Sequence, residues 1–189
     1  MLDSIQYTAD ASDNVAAAIA ITAGILQGHT PQRPAYWIHT SGAGIFTYLD
    51  TDAQTYGTKR DDIVFDDWDG IERILNLSDH AFHRDVDKIV LDAARDHADV
   101  LRAVIISPTT VYVRNTHLLQ KAVGRGLCSQ RSIQVYELAR TTLMRGKAPY
   151  IGAEKAYGCH VHIQDLTDLF LRFFQAALTK EEGIWGRDA

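Results

Sequence analysis

Apolar and polar residues are arranged in this chain so that helical and strand spacings take turns. The segment VAAAIAITAGILQ is apolar nearly all round, with Val15, Ile19 and Ile25-Leu26 near helical spacing and Ile21 broadening the stripe. It predicts a well-buried helix, capped by Ser12 or Asp13 and stopped at Gly28. A polar, proline-bearing loop (His29 to Pro34) leads to AYWIHT, Ala35 to Thr40, which reads as a short buried strand. A second helix is predicted from Phe82 to His97, with Val86, Ile89-Val90, Ala93-Ala94 and His97 as its stripe. The run DVLRAVIIS, Asp99 to Ser107, is a buried strand broken by Pro108. A further helix spans Arg131 to Arg145 and ends at Gly146, CHVHI is a short strand, and Asp165 caps a last helix. In that helix Leu166, Leu169-Phe170, Phe173-Phe174 and Ala177-Leu178 give the best amphipathic pattern in the chain. Between Ser41 and His80 the chain reads as a long acidic loop with one helical turn near IERILNL. Helices alternating with strands predict an α/β fold, a parallel sheet with crossover helices.

Composition narrows the function without naming it. One domain is the expectation for 189 residues, and 46% apolar with 23% charged residues is ordinary for a globular chain. A net charge of −5 weighs against nucleic acid as partner, because phosphate binding needs a basic surface. No apolar run reaches bilayer length, so no membrane partner is expected. Cys128 and Cys159 make neither a disulfide framework nor a zinc site, which points to a reducing compartment, the cytoplasm. The aspartates around Asp66, Asp67 and Asp69 do not have the spacing of an EF-hand, and His160 with His162 lack a third ligand, so no metal site is expected.

Ligands of open parallel sheets bind outside the carboxyl ends of the strands. Three predicted strand ends carry small or polar residues: Thr8-Ala9-Asp10, Thr40-Ser41-Gly42 and Ser107-Pro108-Thr109-Thr110. Either these residues merely end strands and begin turns, or they meet in one crevice.

The stretches IHTSGAG, HRDVDKIVLDAA, VIISPTTVYV and HVHIQDLTDLF, in that order, resemble the extended short-chain dehydrogenases, which include NAD(P)-dependent sugar epimerases and dehydratases. The resemblance runs from about Ala9 to Leu178. It implies a Rossmann-type sheet and an NAD or NADP cofactor lying against Thr8, Ala9, Asp10, Thr40, Lys88, Pro108, Thr109 and Thr110. It also implies hydride transfer at a carbonyl or alcohol carbon of a small-molecule substrate such as a sugar nucleotide, aldehyde or ketone. Ser41 would hold the substrate oxygen and Lys88 the ribose, making these the catalytic pair. A gap-free match places Gly42 at the serine's position, and Ser41 takes the role with a shift of one residue. The segment 1–113 would then hold the remaining Rossmann strands and helices, 126–189 part of a substrate lobe, and the Phe82 to His97 helix could pair in a homodimer.

Two departures stand out. TADASD matches the family's fourth strand, so 1–189 reads as a single incomplete domain, the C-terminal part of the sheet. The glycine-rich βαβ unit that holds the pyrophosphate is missing. An exposed sheet edge would result, to be covered by a longer gene product or a partner. Second, the family's proton donor is a tyrosine four residues before the lysine, and here Arg84 stands there. Arginine does not release a proton near neutral pH. His83 can titrate, but on a helix running through it the ring lies about 100° from the tyrosine's direction. Three readings follow: an oxidoreductase needing a longer chain, a non-catalytic dinucleotide-binding or scaffold module, and a truncated product without independent function.

Overall fold

The computed structural model describes residues 4–7, 11–112, 124–125 and 133–186. Its centre is a three-stranded parallel sheet of β1 (Ser4–Tyr7), β2 (Ala35–Thr40) and β3 (Leu101–Ile106), in that spatial order. The register pairs Ile5 with Trp37 and Trp37 with Ala103, so the three strands run level. The crossovers are helical, as parallel strands require: α1 (Val15–Gly28) joins β1 to β2, and α4 (Arg84–Asp96) leads into β3. Before α4 lie two short helices, α2 (Tyr48–Ala53) and α3 (Ile71–Leu75). After β3 come β4 (Thr110–Tyr112), α5 (Ile133–Arg145), β5 (His160–His162) and α6 (Ile163–Thr179). The chain is therefore mixed α/β with parallel pairing.

β2 is covered on both faces, which explains why its sequence is a continuous apolar run rather than an alternating one. Ala35 and Trp37 face α1 and α4, where they join Ala18, Ile25, Val86, Val90, Ala93, Leu101 and Ala103 in one core. Tyr36 and Ile38 face the other way, against Ala176, Ala177 and Trp185, with Phe170, Phe173 and Phe174 packed around them. Thus α6, which falls in the segment expected to contribute to a substrate lobe, covers one face of the sheet.

Several expectations shift. The cap of α1 is Asn14, whose side chain accepts the Ala17 N–H at 2.9 Å, and not Ser12 or Asp13, which sit in a 3-10 segment just before it. That helix is buried along one line only: Ala18 and Ile25 are in the core while Ile19 and Leu26 are exposed. The α6 helix starts earlier than expected, with His162 as its cap; Asp165 lies in the first turn, where its charge suits the helix dipole. β4 is a strand that the local sequence does not announce. It exists by pairing in parallel with β5, Thr110 against His160 and Tyr112 against His162, in a second, two-stranded sheet.

Candidate active site

Strand β2 delivers the site. Alternation along it sends His39 to the α4 side, with Trp37. His39 is fully buried, and its ring meets Trp37 edge-on at 5.8 Å between centroids. Asp87 points inward from the first turn of α4 and is also buried. Ser41, one residue beyond the strand, donates its hydroxyl to Asp87 Oδ2 at 2.8 Å. His39 Nε2 lies 3.4 Å from Asp87 Oδ1, an electrostatic contact that lacks hydrogen-bond geometry. One carboxyl group thus sits between a serine and a histidine, all three out of solvent.

The loop after β2 is tied to the chain after β3. Ser41 N–H donates to Ile106 O at 2.9 Å and Ala43 N–H to Pro108 O at 3.2 Å. The carboxyl ends of β2 and β3, with Thr40-Ser41-Gly42 and Ser107-Pro108, therefore meet. Thr40, Pro108, Thr109 and Thr110 are half-buried there, and Thr40 Oγ1 is enclosed with no hydrogen-bond partner among the described residues. Thr8, Ala9 and Asp10 lie outside the described residues.

Lys88 follows Asp87 on α4. It is half-exposed and donates to Asp79 Oδ1 at 2.8 Å. That hydrogen bond, reinforced by the lysine's charge, holds the Asp79 carboxyl below its ordinary value. Arg84 is buried and donates through Nη2 to Leu75 O at 2.6 Å, anchoring the chain that leads into α4.

His83 is placed differently from the expectation. Helix α4 begins at Arg84, and His83 precedes it as N-cap with φ of 69°. Its side chain therefore does not follow the helical wheel, and the 100° offset expected from the sequence does not apply. Its Nδ1 lies 2.7 Å from Asp13 Oδ1, and its ring is over nine-tenths buried.

Ser41 and Lys88 are expected at the site from the sequence, whereas His39, Asp87 and Asp13 are not. A signal existed for two of them. His39 is a polar residue inside an apolar strand, and Asp87 lies three positions before Val90 on the buried side of an amphipathic helix. Among the described residues, no group of three His, Cys, Asp or Glu is placed to hold a metal, and no helix is long and apolar enough to cross a membrane.

No family model and no solved structure matches the chain. The chain is 32% identical over 164 residues to a curated protein from Acremonium sp named oxidase ucsJ; the match takes in 82% of this chain and 44% of that protein. The chain thus spans less than half the length of the curated relative it matches.

Proposed function

We propose that this chain is part of an NAD(P)-dependent oxidoreductase of the extended short-chain dehydrogenase type, acting on a carbonyl or alcohol. The observation that carries this reading is the joining of the β2 and β3 carboxyl ends through Ala43 and Pro108, the place where parallel sheets take their ligands. The similarity to a protein named an oxidase supports oxidoreduction as the reaction class. Helices on both faces of the parallel sheet support a Rossmann-like layer. What supports a dinucleotide at this point is Thr40 Oγ1, enclosed with no hydrogen-bond partner among the described residues, at the strand end that Ser41 and Ala43 tie to the chain after β3.

When bound, the nicotinamide supplies a hydride donor or acceptor. The chain's own residues do the rest. Thr40 would contact the cofactor, and Lys88 would exchange Asp79 for the ribose hydroxyls. Ser41 would turn its hydroxyl from Asp87 toward the substrate oxygen, with Asp87 fixing the side chain until then. A sugar nucleotide, aldehyde or ketone fits this chemistry.

A second reading has its own support. Arg84, at the position of the family's tyrosine, is buried and bound to Leu75 O, so it supplies no proton. A non-catalytic dinucleotide-binding module would bind cofactor without turnover.

Titration of tryptophan fluorescence with NADH and NADPH tests both readings. Trp37 lies in β2 and Trp185 packs behind it, while Trp68 is 86% exposed and is best removed as Trp68→Phe. Saturable quenching at micromolar ligand is expected. A folded chain that shows no quenching and no shift of the Asp79 titration on adding either dinucleotide refutes the proposal; binding with no turnover of any alcohol or carbonyl favours the second reading.

A further inference from the structure

The geometry points to His83 as the proton-transfer residue of this site, with Asp13 as its orienting partner. The inference rests on the oxidoreductase reading above and supplies the group that Arg84 cannot. Three independent features converge on the ring.

The first is the backbone. Among the described residues, the non-glycine residues with positive φ are Gln54, His83, Glu154 and Lys180. Gln54 and Lys180 close the C-termini of α2 and α6, where a left-handed residue is common. His83 opens a helix, where extended backbone is the rule. This unusual turn takes the imidazole off the helical wheel and aims it at the loop after β2.

The second is the room made for it. A Cβ built on Gly42 would lie 3.1 Å from His83 Nε2, and one on Gly44 would lie 3.1 Å from Nε2 and 2.9 Å from Phe82 Cδ1. The ring therefore rests against the backbone of the strand-end loop with Nε2 foremost. The Phe82 ring lies beside it at 3.9 Å between centroids.

The third is the partner. Asp13 Oδ1 meets His83 Nδ1 at 2.7 Å, and Oδ2 accepts the Ser12 hydroxyl at 3.1 Å. A carboxylate only accepts hydrogen bonds, so Nδ1 carries the proton and Nε2 keeps its lone pair. Nearby charges point elsewhere: Arg84 reaches back to Leu75 O, and Asp85 accepts the Val86 N–H. The facing loop, Gly42-Ala43-Gly44, has no titratable group.

In the oxidation direction the substrate O–H bond breaks and its proton moves to Nε2. The carbinol C–H electron pair leaves as hydride, the C=O bond forms, and the two-electron acceptor is the oxidised dinucleotide of the reading above. In reduction the imidazolium returns the proton to the alkoxide oxygen. General acid–base help of this kind contributes about 10²–10⁴-fold.

The test compares wild type with His83→Gln and Asp13→Asn. The deciding readout is the imidazole nitrogen NMR spectrum at a pH where the ring is neutral. Wild type is expected to show the proton on Nδ1, and Asp13→Asn, a change at a half-exposed position, is expected to lose that preference. Turnover is expected to fall about 100-fold or more in His83→Gln with dinucleotide binding retained. A proton on Nε2 in wild type, a spectrum indifferent to Asp13→Asn, or full turnover in a folded His83→Gln chain overturns the assignment. Failure of the wild-type chain to bind dinucleotide overturns the oxidoreductase reading instead, and the spectrum then decides alone whether the oriented base exists.

Discussion

Replacing Asp87 by alanine isolates the buried cluster at the end of β2. The change removes the acceptor of the Ser41 hydroxyl, 2.8 Å away, and the group 3.4 Å from His39 Nε2. A hydrogen bond to a charged acceptor contributes about 1.5–3 kcal/mol, and leaving a buried donor unsatisfied costs a similar amount. Losing the histidine contact and leaving a small void add roughly 1 kcal/mol, while relief of the carboxyl's own burial offsets part of the loss. The net expectation is a loss of about 3 kcal/mol, which for a chain of this size lowers Tm by roughly 6–12 °C. Urea unfolding followed by far-UV circular dichroism measures it as a fall in midpoint at unchanged slope. Asp87→Asn, which still offers an oxygen to Ser41, should lose about 1 kcal/mol. A double-mutant cycle with Ser41→Ala should return a coupling of about 1–2 kcal/mol. Stability of Asp87→Ala within about 0.5 kcal/mol of wild type would show that the carboxyl does not hold the cluster together.

Other changes test the frame and the surface. Val90→Ala removes two buried carbons from a fully enclosed position and should cost about 2–3 kcal/mol in the same unfolding assay. Asn14→Ala removes the acceptor of the Ala17 N–H and should cost about 1 kcal/mol, with the loss in hydrogen-exchange protection confined to the first turn of α1. Gly152 has φ of 51°, and a Cβ there would run into Tyr56 O, so Gly152→Ala should destabilise by at least about 2 kcal/mol in thermal unfolding. The Lys88 hydrogen bond depresses Asp79 below 3.8, so the pair's contribution is present above that value and is lost as pH falls through the lowered one. Lys88→Met should move the Asp79 titration, followed by carboxyl NMR, back up toward 3.8, and an unmoved titration would refute the pairing.

What the sequence made legible follows from how strongly each segment constrains itself. AYWIHT announces β2 because residues buried on both faces leave an unbroken apolar run, and α4 is plain because Val86, Val90 and Ala93 keep helical spacing amid charges. Strand β4 is illegible locally: TVY becomes a strand only by pairing with His160–His162, some fifty residues on. α2 hides for a related reason, since YLDTDA is short, half polar and has no side-chain cap. At the site, the strand-end clusters at Thr40-Ser41 and Ser107-Pro108 could be located from composition and order, and the structure joins them. The pairing of Ser41 with Asp87 and of His83 with Asp13 could not, because the partners stand 46 and 70 residues apart in sequence.

His83 and Asp87 also show why the two carboxyl–histidine pairs have different jobs. Both carboxyl groups take a hydroxyl donor and face an imidazole. His39 is wholly enclosed, so no substrate atom reaches its ring, and its contact with Asp87 serves to fix α4 against β2. His83 sits four residues before Asp87, and its O accepts the Asp87 N–H at 3.1 Å in the first turn of the same helix. The inner pair therefore sets where the outer ring lies. A proton transfer needs the donor within hydrogen-bond reach of its target, and a displacement of about 1 Å is enough to cost two orders of magnitude. Asp87→Asn should then lower kcat beyond what its small loss of stability explains, with dinucleotide affinity unchanged and the His83 ring still protonated on Nδ1. The same variant with wild-type kcat would mean that α4 keeps its place without the inner pair, and that Arg84, bound to Leu75 O, suffices to seat the helix.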